Sequence, residues 1–171
     1  MPFSIIKGDI TRMKADAIVN AANEHLARGG GVCGAIFAAA GADRLQEACW
    51  ELGRCPTGSA VITPGFDLPA RFVIHTVGPV WQGGGRGEEA LLRSAYRSSL
   101  ELAVKEGCQS IAFPAISSGI YDYPLADALR CAVEEIEAFL KDHDLQVWLV
   151  LFGGAAVETA KELWPALWQN G

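Results

Sequence analysis

Two stretches, SIAF at Ser110–Phe113 and VWLVLF at Val147–Phe152, are nearly continuous apolar runs with no polar face to turn toward water. Strands of this kind are buried on both faces, so whatever folds around them must cover the sheet on both sides. Three more runs, Phe3–Ile6, Ser59–Thr63 and Phe72–Val77, alternate or sit between turn residues and are compatible with strands; a sixth, Ala17–Val19, is weaker. Between them lie helical patterns. These are Ala42–Leu52, Glu88–Glu106 with Leu92, Ala95, Tyr96, Ser99, Leu102 and Ala103 on one stripe, and Leu125–Leu140 with Leu125, Leu129, Val133, Ile136 and Leu140. A last helix, Ala155–Leu163, is bent or ended by Pro165; Gly107 reads as a C′ residue and Pro124 as a helix N1. Helices alternating with buried strands specify an α/β domain with helices on both faces of its sheet. The segment Gln82–Gly87 reads as a mobile surface loop.

With 171 residues, 50% of them apolar, the chain can bury one sizeable core and is short for a second, so a single domain over 1–171 is expected. There is no basic segment followed by an apolar signal-like run and no apolar stretch of bilayer length, which places the expected site of action in the cytoplasm with no membrane partner. The five cysteines, Cys33, Cys49, Cys55, Cys108 and Cys131, form no C-x-x-C pair and have no histidines at ligand spacing. Structural zinc and a disulfide framework are both disfavoured, and no metal or cofactor is expected. A net charge of −6 argues against DNA held by bulk electrostatics, so a phosphate ligand has to be held by local groups.

Two strand-to-helix loops can supply such groups. Gly29-Gly30-Gly31 leads into a helix beginning near Cys33 and offers free amides and the positive end of a helix dipole. The segment PAISSGIYDYP, Pro114 to Pro124, joins the buried run 110–113 to the next helix, and its Ser117, Ser118 and Gly119 can form a nest of N–H donors. Two anion-receptive loops on one sheet edge suit a ligand with two linked phosphates. Glycine-rich turns also arise simply because a tight connection needs positive φ. Neither G-x-x-x-x-G-K-[ST] nor G-x-G-x-x-G is present, so the usual nucleotide-binding patterns do not apply.

The combination of GDIT (Gly8–Thr11), NAAN (Asn20–Asn23), GGGV opening a helix, IHTVGP (Ile74–Pro79) and PAISSGIY, in that order over almost the whole chain, resembles the macrodomain family, and within it the MacroD-type branch. The resemblance implies a three-layer α/β/α sandwich with a mixed, roughly six-stranded central sheet that binds ADP-ribose at one end. It also implies site residues. Asp9, with Ile10 beside it, would accept the adenine amino group, a role that suits an acceptor-only carboxylate. Asn20 and Asn23 would lie near the distal ribose. Gly30, Gly31 and Val32 would line the phosphates and ribose from one side, and Ser117, Ser118, Gly119, Ile120 and Tyr121 would wrap the diphosphate from the other. Each has an ordinary structural alternative: a turn or cap at Asp9, turns at the asparagines, core packing for Tyr121. His75 shares a strand face with Val73 and Val77 and reads as a core histidine rather than a general base.

The sequence departs from the MacroD-type pattern Gly-Gly-Gly-Gly-Val-Asp-Gly-Ala-Ile-His, because Cys33 stands where that pattern has its aspartate and Phe37 where it has histidine. Asp122 occupies a position that is often glycine. A thiol is a poorer acceptor of water's proton than a carboxylate, so the loss bears on turnover more than on binding. The catalytic candidates are Asn23, orienting water together with the ligand's own phosphate, and Cys33, as nucleophile or as a small pocket-shaping residue. The resemblance therefore implies a hydrolase of ADP-ribosyl esters, acting on O-acetyl-ADP-ribose or on ADP-ribosylated acidic side chains of proteins. Its alternatives are a non-catalytic ADP-ribose reader and, more remotely, an ADP-ribose 1″-phosphate phosphatase.

Overall fold

The two apolar runs lie side by side in the middle of a seven-stranded sheet. The structure, a computed structural model, describes residues 2–170. Its elements are β1 (Phe3–Lys7), a 3-10 turn (Ile10–Arg12), β2 (Ala17–Ala21), α1 (Gly31–Ala40), α2 (Ala42–Leu52), β3 (Ala60–Pro64), β4 (Phe72–Thr76), α3 (Glu88–Lys105), β5 (Ser110–Phe113), α4 (Leu125–Leu140), β6 (Gln146–Leu151), α5 (Gly154–Leu163) and β7 (Trp168–Gln169). The strand order is β3-β4-β2-β5-β6-β1-β7, and every neighbouring pair is parallel except β3–β4.

On one face Ile111, Phe113, Val147 and Leu149 pack with the apolar stripes of α3, α4 and α5. On the other, Ile18, Val73, Ala112 and Val150 pack with α1 and α2. This is the expected α/β/α sandwich. The expected six strands are joined by a seventh, β7, a two-residue pairing with Ile5 and Ile6 after Pro165 has ended α5. Pro124 sits just before α4 as its N-cap, with extended backbone, rather than at N1.

The segment Gln82–Gly87, expected as a mobile surface loop, lies at the surface and gathers around one carboxylate. Glu88, only 2% exposed at the start of α3, accepts the backbone N–H groups of Gln82, Gly84 and Arg86. Burial alone would raise its pKa, but these donors outweigh that effect and bring it down to about 2.

Strand β2 extends beyond the expected Val19, which brings Asn20 into register with His75 of β4. His75 is fully buried, with Nδ1 3.0 Å from Asn20 Nδ2 and Nε2 3.0 Å from Thr63 Oγ1. The Thr63 hydroxyl donates to the Pro64 carbonyl, so it accepts from Nε2–H and leaves Nδ1 to accept from Asn20. Burial brings the His75 pKa down from 6.5 to about 4, so this is a neutral core histidine.

His75→Leu removes the partner of Asn20 Nδ2 and the N–H donor to Thr63, and is expected to cost about 1–3 kcal/mol at pH 7. The folded protein binds fewer protons at His75 than the unfolded chain does. The parent's stability therefore falls as pH drops from 6.5 toward about 4, whereas the variant lacks this loss. The gap between them narrows at pH 5. Urea unfolding at both pH values checks this, and a gap that stays constant or widens contradicts it.

Candidate ligand-binding cleft

Four neighbouring parallel strands, β2, β5, β6 and β1, release their loops at the same sheet edge. The helix after β2 covers one face and the helix after β5 covers the other, so the loops part and a crevice opens between them. The resulting cleft has a volume of about 810 Å³, within the range of small-molecule sites. Among the described residues that line it there is no lysine or arginine, and Asp9 is the one carboxylate.

The first wall is Gly29 to Cys33. Helix α1 starts at Gly31 with Gly30 as its cap, so the N–H groups of Gly31, Val32 and Cys33 have no partner within the helix. The chain can fold this tightly because residue 34 is glycine: a methyl there would stand 2.6 Å from the Gly29 carbonyl oxygen.

The second wall is Ala115 to Tyr121. Its two serine hydroxyls bond within the protein, Ser117 Oγ donating to the Pro79 carbonyl at 2.8 Å and Ser118 Oγ to the Ala115 carbonyl at 2.8 Å. Ser117 adopts a left-handed backbone conformation with φ +67°, and Asp122 closes the turn with φ +59°. The N–H groups of Gly119, Ile120 and Tyr121 make no hydrogen bond among the described residues. The walls face each other closely, since a methyl on Gly30 would lie 4.0 Å from Ile120 Cδ1. Gly78, in the IHTVGP segment, lets the second wall sit: a methyl there would collide with Ser117 Oγ and Ile116 Cγ2.

A third set of donors was not read from the sequence. It is the N-terminus of α5, where Gly153, Ala155 and Ala156 reach the cleft beside Phe152, 82% exposed. The apolar run carries the preceding strand through Phe152, but that strand ends at Leu151. Gly8 donates to the Leu151 carbonyl at 3.0 Å, which brings Asp9 and Phe152 to the same end. Asp9 caps the 3-10 turn, its Oδ1 accepting Thr11 N–H at 3.0 Å and Thr11 Oγ1 at 2.7 Å. These bonds, the hydroxyl's first, hold its pKa below the usual carboxylate value. Oδ2 remains available, and Ile10 lines the cleft beneath it.

At the opposite end stand Asn23, Cys33 and Tyr121. Asn23 organises its own loop: Oδ1 accepts the N–H groups of His25 and Ala27, both at 3.1 Å, and Nδ2 donates to the Ala27 carbonyl at 2.8 Å, leaving one N–H free. Cys33 is 7% exposed. Burial, with the carboxylate of Glu24 nearby, pushes the Tyr121 phenol up, so it stays protonated. Asn20 does not join them. Its side chain is 1% exposed and turned to His75, on the sheet face that the alternation of β2 assigns it.

The family model described as Macro domain matches residues 19–132. An Escherichia coli K12 protein named O-acetyl-ADP-ribose deacetylase is 50% identical over 154 residues, which cover 86% of each chain. Among solved structures, the Oceanobacillus iheyensis macrodomain with ADP superposes with a TM-score of 0.89 at 43% identity, covering 95% of this chain and 90% of that one. A Trypanosoma brucei macrodomain in complex with ADP-ribose gives a TM-score of 0.86 at 41% identity, covering 94% and 68%.

The two loop glycines separate steric need from openness. Gly78→Ala is expected to destabilise the fold by about 1–3 kcal/mol, because the second wall must shift to admit the methyl. Gly119→Ala meets open space and should change stability by less than about 0.5 kcal/mol. Denaturant unfolding of the two variants measures both, and equal effects would remove the steric role assigned to Gly78.

Proposed function

This chain belongs to the macrodomain family, and from that premise we propose that it binds ADP-ribose and hydrolyses ADP-ribosyl esters. The observation that carries the reading is a cleft with one carboxylate at one end and facing sets of unpartnered backbone amides along its walls, without a cationic side chain. Backbone N–H groups at helix N-termini hold phosphate without lysine or arginine. Asp9 Oδ2 accepts the exocyclic amine of adenine while Phe152 offers its exposed ring as a stacking face. The diphosphate lies between Gly30–Cys33 and Gly119–Tyr121. The distal ribose then falls beside Asn23, Cys33 and Tyr121.

In this reading water attacks the acyl carbon of the ester, the bond to the ribose oxygen breaks, and ADP-ribose leaves with a carboxylic acid as co-product. The free N–H of Asn23 orients the water, and a phosphate oxygen of the ligand receives its proton and passes it to the departing ribose oxygen. Cys33 shapes the pocket. His75 directs its ring nitrogens to Asn20, Thr63 and Cys49, so it forms no dyad with Cys33. The substrate class extends from O-acetyl-ADP-ribose to ADP-ribose on acidic side chains of proteins. Because Cys33 leaves the distal end without a carboxylate, a reader that binds without turnover is the second reading.

ADP-ribose is expected to bind with a Kd on the order of micromolar, corresponding to about 8 kcal/mol. Asp9→Ala should weaken it by roughly 10-fold or more, the loss of one hydrogen bond to a charged acceptor. Calorimetry checks both, and a folded Asp9→Ala protein that binds as tightly as the parent reduces Asp9 to a turn residue.

Product analysis with purified protein and O-acetyl-ADP-ribose tests turnover. Released acetate supports the hydrolase, and inorganic phosphate from ADP-ribose 1″-phosphate supports the phosphatase alternative. Cys33→Asp should raise ester hydrolysis by ~10-fold or more through general-base assistance, with Cys33→Ala close to the parent. Loss of activity in Cys33→Ala would instead make the thiol a nucleophile. Background rates in the parent and in Cys33→Asp, with binding retained, leave the reader.

A further inference from the structure

The second wall of the cleft rests on a segment that has little of its own to hold it. Residues 82–87 read QGGGRG, four glycines and no apolar side chain. Just before them, Pro79 accepts the Ser117 hydroxyl and Trp81 N–H donates to the Tyr121 carbonyl at 2.8 Å. The Trp81 ring packs on Tyr123 with 4.7 Å between centroids at a 57° tilt. The same ring covers Gly84, where an added methyl would lie 2.9 Å from Cη2.

What gathers this glycine-rich stretch is Glu88. Its Oε2 accepts Gln82 N–H at 2.9 Å and Gly84 N–H at 3.0 Å, and its Oε1 accepts Arg86 N–H at 2.6 Å. The carboxylate is buried and sits at the N-terminus of α3, where the helix dipole favours it. It lines no part of the cleft, and the chemistry proposed above makes no use of it.

We propose that Glu88 is a positioning residue for diphosphate recognition: by collecting the Gln82, Gly84 and Arg86 amides it seats Trp81, and Trp81 fixes the height of the Ser117–Tyr121 wall over the phosphates. The proposal rests on the ADP-ribose reading. Backbone donors cannot reach as a long side chain can, so their contribution depends on where the wall is held. Releasing Glu88 therefore weakens contacts to the diphosphate and distal ribose and leaves the Asp9 and Phe152 end unchanged.

The test compares two ligands and two variants. Glu88→Gln keeps the side chain's shape and removes its charge, while Gly84→Ala disturbs the same seat without changing any charge, crowding Trp81 and straining the loop at φ +91°. Each protein is titrated with ADP-ribose, which spans the cleft, and with adenosine, which has only the adenine end and its ribose, while NMR follows the Gly119 and Ile120 amides. Both variants should lose ~10-fold or more in ADP-ribose affinity, change adenosine affinity by no more than ~2-fold, and show shifted Gly119 and Ile120 resonances before ligand is added. Unchanged ADP-ribose affinity in folded variants overturns the proposal, and so does an equal loss for both ligands, which general loosening would give. Should Glu88→Gln fail to fold, Gly84→Ala carries the same comparison. A parent that binds no ADP-ribose overturns the functional reading and this proposal together; a parent that binds, with variants that bind equally well, overturns this proposal alone.

Discussion

The cleft has to attract negative charge in a chain of net charge −6, with no cationic side chain among the described residues of its walls. Only oriented backbone N–H groups can do this, and they work only where the fold leaves them unpartnered and aimed at one space. The parallel sheet meets the first condition by sending the exits of β2, β5, β6 and β1 to one edge. Helices α1 and α5 begin there and contribute the free amides of their first turns. The apolar runs that impose a doubly covered sheet thus also decide where an anion can be held.

Aiming the amides is a separate requirement, and it falls on residues that look unremarkable in the chain. Gly34 lets the first wall turn tightly into α1, and Gly78 lets the second wall settle onto the strand exit beside it. The serines of the second wall turn inward and lock the loop, so the wall presents main chain rather than hydroxyls. A rigid frame of this kind lowers the ordering cost of binding, which matters when each donor has little freedom to adjust.

Much of this was legible in the sequence. Gly30, Gly31, Val32, Gly119, Ile120 and Tyr121 could be placed at strand-to-helix junctions, and the structure brings them to one cleft with Asp9 and Ile10 at its end. The misplacements come from strand ends. A strand ending at Val19 leaves Asn20 free to face the cleft, whereas one more step of alternation assigns it to the face of Ile18, toward His75. Carrying the last long strand through Phe152 hid an exposed aromatic; the signal that could have revealed it is the Gly153-Gly154 pair that starts α5 at once. Glu88 was invisible for a different reason. A glutamate in a first helical turn ordinarily faces solvent, and only the path of a glycine-rich loop around it buries the carboxylate.

In the proposed reading binding and turnover draw on different parts of this cleft, and that separates the questions that Cys33 raises. Affinity depends on the amide walls and the adenine end, none of which needs a group at residue 33 to accept a proton. Turnover needs a base near the distal ribose, and the side chains there are poorly suited to that task. The Tyr121 phenol is protonated, the Asn23 carbonyl already accepts two N–H groups, and Asp9 stands at the other end. That leaves the substrate's own phosphate as the base in the proposed reaction, held by the same amides that bind it. Those amides withdraw charge from the phosphate oxygens as they hold them, so tighter binding makes the phosphate a weaker base. In the proposed reaction a cysteine at residue 33 therefore sets strong binding against fast turnover, and a carboxylate there relaxes that opposition by giving the water a base of its own.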